Sequence, residues 1–162
     1  MSRRSEALAD RIEEGANGLA SFVEGLSDAE WNTPVPGSGR DSRPVCVAVH
    51  HVASVYPIEI ELARGIAAGN EVGVTWENVA ELNAGHAKDN AGVSKADAIA
   101  LLKANAKAAA DAVRTFTDEQ LDTAAPFGLS FGAPVTAQFV LEDHAVRHSW
   151  HHLARIKSAL GR

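Results

Sequence analysis

Four of the seven histidines, His144, His148, His151 and His152, fall within nine residues of one another in the run HAVRHSWHHLARI. At about 100° per helical residue, His144, His148 and His152 share roughly 80° of arc, with His151 in the same sector. Imidazoles at i and i+4 on a helix direct two nitrogens toward one metal ion. A second pair, His50–His51, stands far upstream in the apolar run VCVAVHHVASVY. One histidine from that pair and two from the C-terminal run would make a three-nitrogen metal site inside a helical bundle.

The other chemistry-bearing residues are less decisive. His50 and His51 diverge by about 100° on a helix, so they do not face the same ion, and a structural histidine bonded to backbone is the alternative for either. His144 reads as a further ligand one turn earlier or as a residue that orients one, and His151 as a residue of the rim. His86, in the polar run ELNAGHAKDN, reads as a surface histidine, with a route to the pocket from its own helix left open. Glu59 and Glu61 are available as carboxylates near a metal, although charged helix faces are common. Cys46 stands one turn before His50 among apolar neighbours and reads as a buried, inert thiol. Ser54, Tyr56 and the three tryptophans are compatible with pocket walls, with core packing the favoured role for the tryptophans. No nucleophile–base pair and no phosphate-cradling glycine loop is legible.

These residues need helices to position them. The chain has 162 residues, 46% of them hydrophobic, enough for a single domain over residues 1–162 with one core. Alanine is abundant and period-two alternation is scarce, which predicts an all-α protein. A first helix is expected from about Ser5 to Gly25 with an apolar stripe of Leu8, Ile12, Ala16, Leu19 and Phe22. A helical turn capped by Ser27 follows through Trp31. The run TPVPGSGRDS, Thr33 to Ser42, reads as a loop. A second helix opens after Ser42, with Arg43 and Pro44 in its first turn, and runs toward Gly69 with a kink or break near Ala53–Pro57. Thr75 caps a third helix that ends before Gly92, and Ser94 caps a fourth. A short turn starts at Thr117, and AAPFGLSFGAPV is an ordered hydrophobic loop with a little extended structure. The last helix spans about Thr136 to Leu160. On it Phe139, Val146, Leu153, Ile156 and Leu160 are expected to face the core. Four main helices imply a four-helix bundle with short extra helical turns.

The balance of charge, −6 with a pI near 5.6, argues against nucleic acid as a partner. No uninterrupted apolar run of membrane-spanning length is present, and the start MSRRSEALADRIEE lacks the apolar core of a secretory signal. A single cysteine permits neither an internal disulfide nor an all-thiolate metal site. A cytoplasmic protein is the simplest expectation.

The segments VAVHHVAS and RHSWHHLARI resemble those of the DinB-like superfamily, which includes the metal-binding domain of mycothiol-dependent maleylpyruvate isomerase and related bacterial thiol S-transferases. The likeness covers most of the chain in helix order. It implies an up-down-down-up bundle and a divalent metal (zinc, nickel or iron) held by one histidine of the second helix and an H-x-x-x-H pair of the last. Carried onto this sequence, the ligands are His51, His148 and His152. His51 is preferred to His50 because HVAS matches the family's His-Leu-Ala-Asp-like segment. The sequence departs from the family at Arg155, where a glutamine is common, and the second domain of the isomerases is not expected, so isomerase activity is not implied. The function implied is a metal-dependent thiol S-transferase or hydrolase acting on a small molecule, with a low-molecular-weight thiol as one partner, pairing as a homodimer. The alternative is a non-catalytic metal- or small-ligand-binding bundle, related to stress.

Overall fold

The computed structural model describes residues 2–37 and 42–162. The elements follow in the order α1 (Arg3–Glu24), α2 (Asp28–Trp31), β1 (Pro34–Pro36), β2 (Ser42–Pro44), α3 (Val45–Ala67), α4 (Trp76–Asp89), α5 (Lys95–Arg114), α6 (Asp118–Asp122), β3 (Ala124–Pro126), β4 (Pro134–Thr136), α7 (Ala137–Val140) and α8 (Arg147–Ala159). A π-helical turn, Leu141–Val146, joins α7 to α8 into one rod. Side-chain caps start most of the helices. Ser2, Ser27, Thr75, Ser94 and Thr117 each accept from a backbone N–H of the first turn, an otherwise orphan donor.

The four long rods pack in the cyclic order α1, α5, α3, α8. Contacts between them give the directions. Glu24 meets Lys103 and Glu6 meets Arg114, so α1 and α5 are antiparallel. Cys46 lies against Ala91 just before α5, and Ala53 meets Asn105 further along it, so α3 and α5 are parallel. Arg11 meets Glu142, and Gly18 packs beside Trp150 and Leu153, so α1 and α8 are parallel. His51 stacks near His152 while Glu59 reaches His148, so α3 and α8 are antiparallel. The result is the up-down-down-up bundle. Parallel neighbours α3 and α5 need a return connection as long as α3, about 35 Å for its 23 residues. Residues 68–94 provide it, with α4 as their middle. No residue of α4 is fully buried.

The core of this bundle is apolar, and α1 contributes Leu8, Ile12, Ala16 and Leu19 to it as the stripe predicts. Phe22 is only partly buried, and Val23 fills the interior in its place. Gly15 is where α1 comes nearest to α8. A Cβ added there would stand 2.8 Å from the indole nitrogen of Trp150. By length and composition α3 is apolar enough to cross a membrane, but 67% of its apolar window is buried within the bundle, as befits a core helix.

Several local expectations are corrected. The segment expected to be a loop forms a hairpin in which β1 and β2 pair antiparallel, with residues 38–41 of that segment outside the described residues. Arg43 and Pro44 consequently belong to a strand, and Pro44 precedes the first turn of α3. The hydrophobic loop closes as the β3–β4 hairpin. Of the tryptophans only Trp31 is buried, its indole donating to the carbonyl of Val93 at 3.2 Å. Trp76 and Trp150 are exposed to 53% and 41%. On the last rod Val146, Leu153 and Ile156 are buried, but Phe139 is 45% exposed and Ala137, Leu141 and Ala145 take its place inside. The π turn explains the discrepancy. Its i→i+5 bonds advance each residue by less than 100°, so residues before and after it do not share the face that a uniform helix would assign them.

Helix α3 runs unbroken through Pro57, where a kink or break is expected. Proline lacks the N–H that would bond the carbonyl of Ala53, four residues earlier. That buried carbonyl instead accepts from Nδ2 of Asn105 on α5, at 2.8 Å. Asn105→Ala should therefore cost about 1–3 kcal/mol of stability, the price of an unsatisfied buried carbonyl. In a Pro57→Ala background, where residue 57 regains its N–H, the same change should cost less. Equal losses in the two backgrounds by urea denaturation would rule this account out.

Candidate metal centre

His51 on α3 and His148 and His152 on α8 each offer a ring nitrogen, and these three nitrogens lie within 4.8 Å of one another. The Nε2 atoms of His51 and His148 are 3.1 Å apart. The rings of His148 and His152 stack at 4.9 Å between centroids, as i, i+4 spacing on α8 dictates, and the ring of His51 meets both nearly edge-on at 5.0 and 5.4 Å. The antiparallel α3–α8 contact brings residues far apart in the chain into one cluster.

Glu59 completes the arrangement. It is 4% exposed, two turns beyond His51 on α3, and its Oε1 accepts from Nδ1–H of His148 at 2.5 Å. A ring that donates from Nδ1 to a carboxylate presents the lone pair of Nε2 on its other side, the tautomer and orientation a metal ligand needs. Burial drives the pKa of His51 from its ordinary 6.5 down to about 3, with His148, His86 and Arg43 adding to the effect. Burial, followed by the charges of His148 and His51, depresses His152 as well. Both imidazoles are thus neutral with free lone pairs at neutral pH. Converging nitrogens, a carboxylate behind one of them and a half-buried position fit a divalent cation.

The remaining histidines are arranged around this cluster. His50 faces away from the three nitrogens. Its Nδ1 lies 2.8 Å from Nε2 of His86 and 3.2 Å from the Ser54 hydroxyl. His86 therefore reaches inward from α4, and its ring stands 5.7 Å from that of His51. Nδ1 of His86 and Nδ1 of His51 are both buried without a hydrogen-bond partner among the described residues. His144, in the π turn, packs against Phe127 edge-on at 5.7 Å. His151 is exposed and meets His152 ring to ring at 5.3 Å. Glu61 is exposed and pairs with Arg64, away from the cluster. Cys46 is buried with its thiol pKa raised by burial, which makes it inert.

A cavity of about 350 Å³ opens beside the cluster and is lined by His51, His144, His148, His151 and His152. Of its other walls, only Trp76 was open to a pocket role from sequence. Trp76, Val79, Leu82 and Asn83 come from the crossover helix α4, and Arg43 comes from the β1–β2 hairpin. The one available signal was in α3, where Glu59 interrupts an apolar stretch and a buried carboxylate demands a partner.

The depressed histidines make the apo-protein acid-labile. Below 6.5 the unfolded chain takes up protons that the folded state refuses, so stability present above that pH is lost as pH falls. Between pH 7.5 and 5.5, His51 and His152 together should remove roughly 2–3 kcal/mol. Urea midpoints of chelator-treated protein at the two pH values would measure the loss, and the His51→Gln/His152→Gln variant should lessen it. A wild-type midpoint independent of pH would contradict the buried neutral state.

No curated protein sequence matches the chain. Among solved structures it is similar to YfiT from Bacillus subtilis, described as a probable metal-dependent hydrolase with an unusual four-helix bundle topology, at a TM-score of 0.77 and 22% identity, covering 100% of this chain and 89% of that one. It is similar also to the mycothiol-dependent maleylpyruvate isomerase, at a TM-score of 0.68 and 16% identity, covering 96% of this chain and 63% of the isomerase. An uncharacterized protein from Clostridium difficile 630 matches at a TM-score of 0.70 and 11% identity over 98% of this chain and 96% of that one. At these identities the likeness establishes the fold. A sequence model of the DinB superfamily matches residues 11–156, and the chain belongs to that superfamily.

Proposed function

We propose that this protein is a metal-dependent enzyme that activates a small nucleophile, a low-molecular-weight thiol in a thiol S-transferase or water in a hydrolase. The observation that carries the reading is the convergence of His51, His148 and His152 with Glu59 seated on Nδ1 of His148. These three histidines would hold the ion. When bound there, a divalent ion supplies a Lewis acid that lowers the pKa of a thiol or water at neutral pH. Zinc, nickel and iron all accept imidazole nitrogen.

The chain's own residues have separate tasks. Glu59 fixes the orientation and tautomer of the His148 ring. Burial keeps His51 and His152 unprotonated and ready to ligate. Three protein donors leave further coordination positions for a nucleophile or substrate, as catalytic sites do and closed structural sites do not. The cavity beside them, about 350 Å³, limits the substrate to a small molecule. The description of YfiT supports the hydrolytic form and that of the isomerase supports the thiol-dependent form. The chain spans 63% of the isomerase, and isomerisation is not part of the proposal.

Elemental analysis of protein purified without an affinity tag or chelator tests the reading. Near one metal ion per chain is expected, lost in His148→Ala and in His51→Ala. Glu59→Ala should keep the ligands but weaken metal affinity about 10- to 100-fold. Circular dichroism separates lost ligation from lost folding. Wild-type protein that takes up no metal even on reconstitution would overturn the proposal, and stoichiometric metal without thiol or water chemistry would favour the non-catalytic binding bundle.

A further inference from the structure

The cavity beside the histidines carries an uneven distribution of charge. Two carboxylates line it, and both are engaged. Glu59 accepts from His148, and Asp143 pairs with Arg147 at 3.1 Å. Arg43 and Arg155 also line it, and neither has an acidic partner among the described residues. Both lie near the cluster. The charge of Arg43 acts on His51 and His86, and that of Arg155 on His151 and His152. Arg43, Arg147 and Arg155 outweigh Glu59 and Asp143 in the lining, so in a chain of net charge −6 this half-enclosed cavity carries a net positive charge, and such clefts focus anions. The facing wall is apolar, built from Ile58 and Leu62 on α3 and Val79 and Leu82 on α4.

We propose that this cavity binds a small amphiphilic oxyanion, with a carboxylate or phosphate head held by Arg43 and Arg155 and an apolar body laid against the α3–α4 wall. Guanidinium groups present planar, paired donors that match an oxyanion and are weakly hydrated, so they suit a half-buried position. The volume, about 350 Å³, is at the small end of ligand cavities, which selects a molecule of metabolite size. The proposal names the substrate class of the site described above and rests on that reading only for the place where chemistry would occur. The charge and the apolar wall belong to the protein with or without an ion.

Calorimetric titration with octanoate, octyl phosphate and the neutral octanamide tests it, on the full chain as purified and again after chelator treatment. At least one of the two oxyanions should bind ten-fold or more tightly than octanamide in both preparations, and whichever binds tighter assigns the head group. The Arg43→Gln/Arg155→Gln variant should lose that preference while retaining octanamide binding and its metal content, which shows that the fold and the histidine cluster are intact. Equal binding of all three probes by wild-type protein, or a preference that survives in the double variant, would overturn the proposal. So would a preference confined to the metal-loaded form, since the ion rather than the arginines would then hold the head group. Absence of metal from the wild type would defeat the catalytic reading and leave this measurement fully interpretable.

Discussion

Helix α3 is a largely apolar core helix and yet carries His51, Tyr56 and Glu59 into the interior of the bundle. Polar groups removed from water must find partners within the protein, and the search for partners determines how α3 sits against its neighbours. Glu59 meets His148, and the Tyr56 hydroxyl meets that of Ser149 at 2.6 Å. Both partners are on α8, side by side. On the opposite flank the carbonyl freed by Pro57 meets Asn105. A slip of α3 by one residue along either neighbour would strand all of these groups at once. Apolar packing tolerates small displacements and hydrogen bonds of this length do not, so the register of three helices is set by the residues that also build the histidine cluster.

Stability and chemistry are therefore in tension at one place. His51 and His152 are held neutral by burial, a state that favours metal ligation and exposes the apo-fold to acid. A bound ion would convert the same convergence of lone pairs from a packing liability into a source of stability, because it binds the folded state and not the unfolded one.

Much of this was legible in the sequence, for reasons that particular residues make plain. Caps such as Thr75 and Ser94 act through neighbours three residues away, and the alanine-rich apolar stripes repeat at helical period, so the long helices could be placed. The i, i+4 spacing of His148 and His152 survives in the structure because both lie in α8, beyond the π turn. His144 precedes α8 and still lines the cavity, whereas Phe139 left the core face it was expected to share with Leu153 and Ile156, because a one-dimensional wheel has no means of registering a change in helical pitch. The continuity of α3 through Pro57 depended on Asn105, nearly fifty residues away in the chain. The role of Glu59 depended on a partner on another helix. The inward reach of His86 depended on where a loosely packed helix comes to rest. Each of these is a tertiary relation with no local signature.

The parallel placement of α3 and α5 has a further consequence. It obliges the chain to travel back along the bundle, and α4 is the substance of that journey. Because none of its side chains is fully buried, α4 contributes little to the core, yet Val79, Leu82 and Asn83 form one wall of the cavity. The ligand-facing surface is thus split between helices that cannot change without endangering the fold and one that can. Selection acting on substrate shape has in α4 a nearly independent variable. One scaffold can in this way vary the shape of its cavity while its stability is left almost untouched.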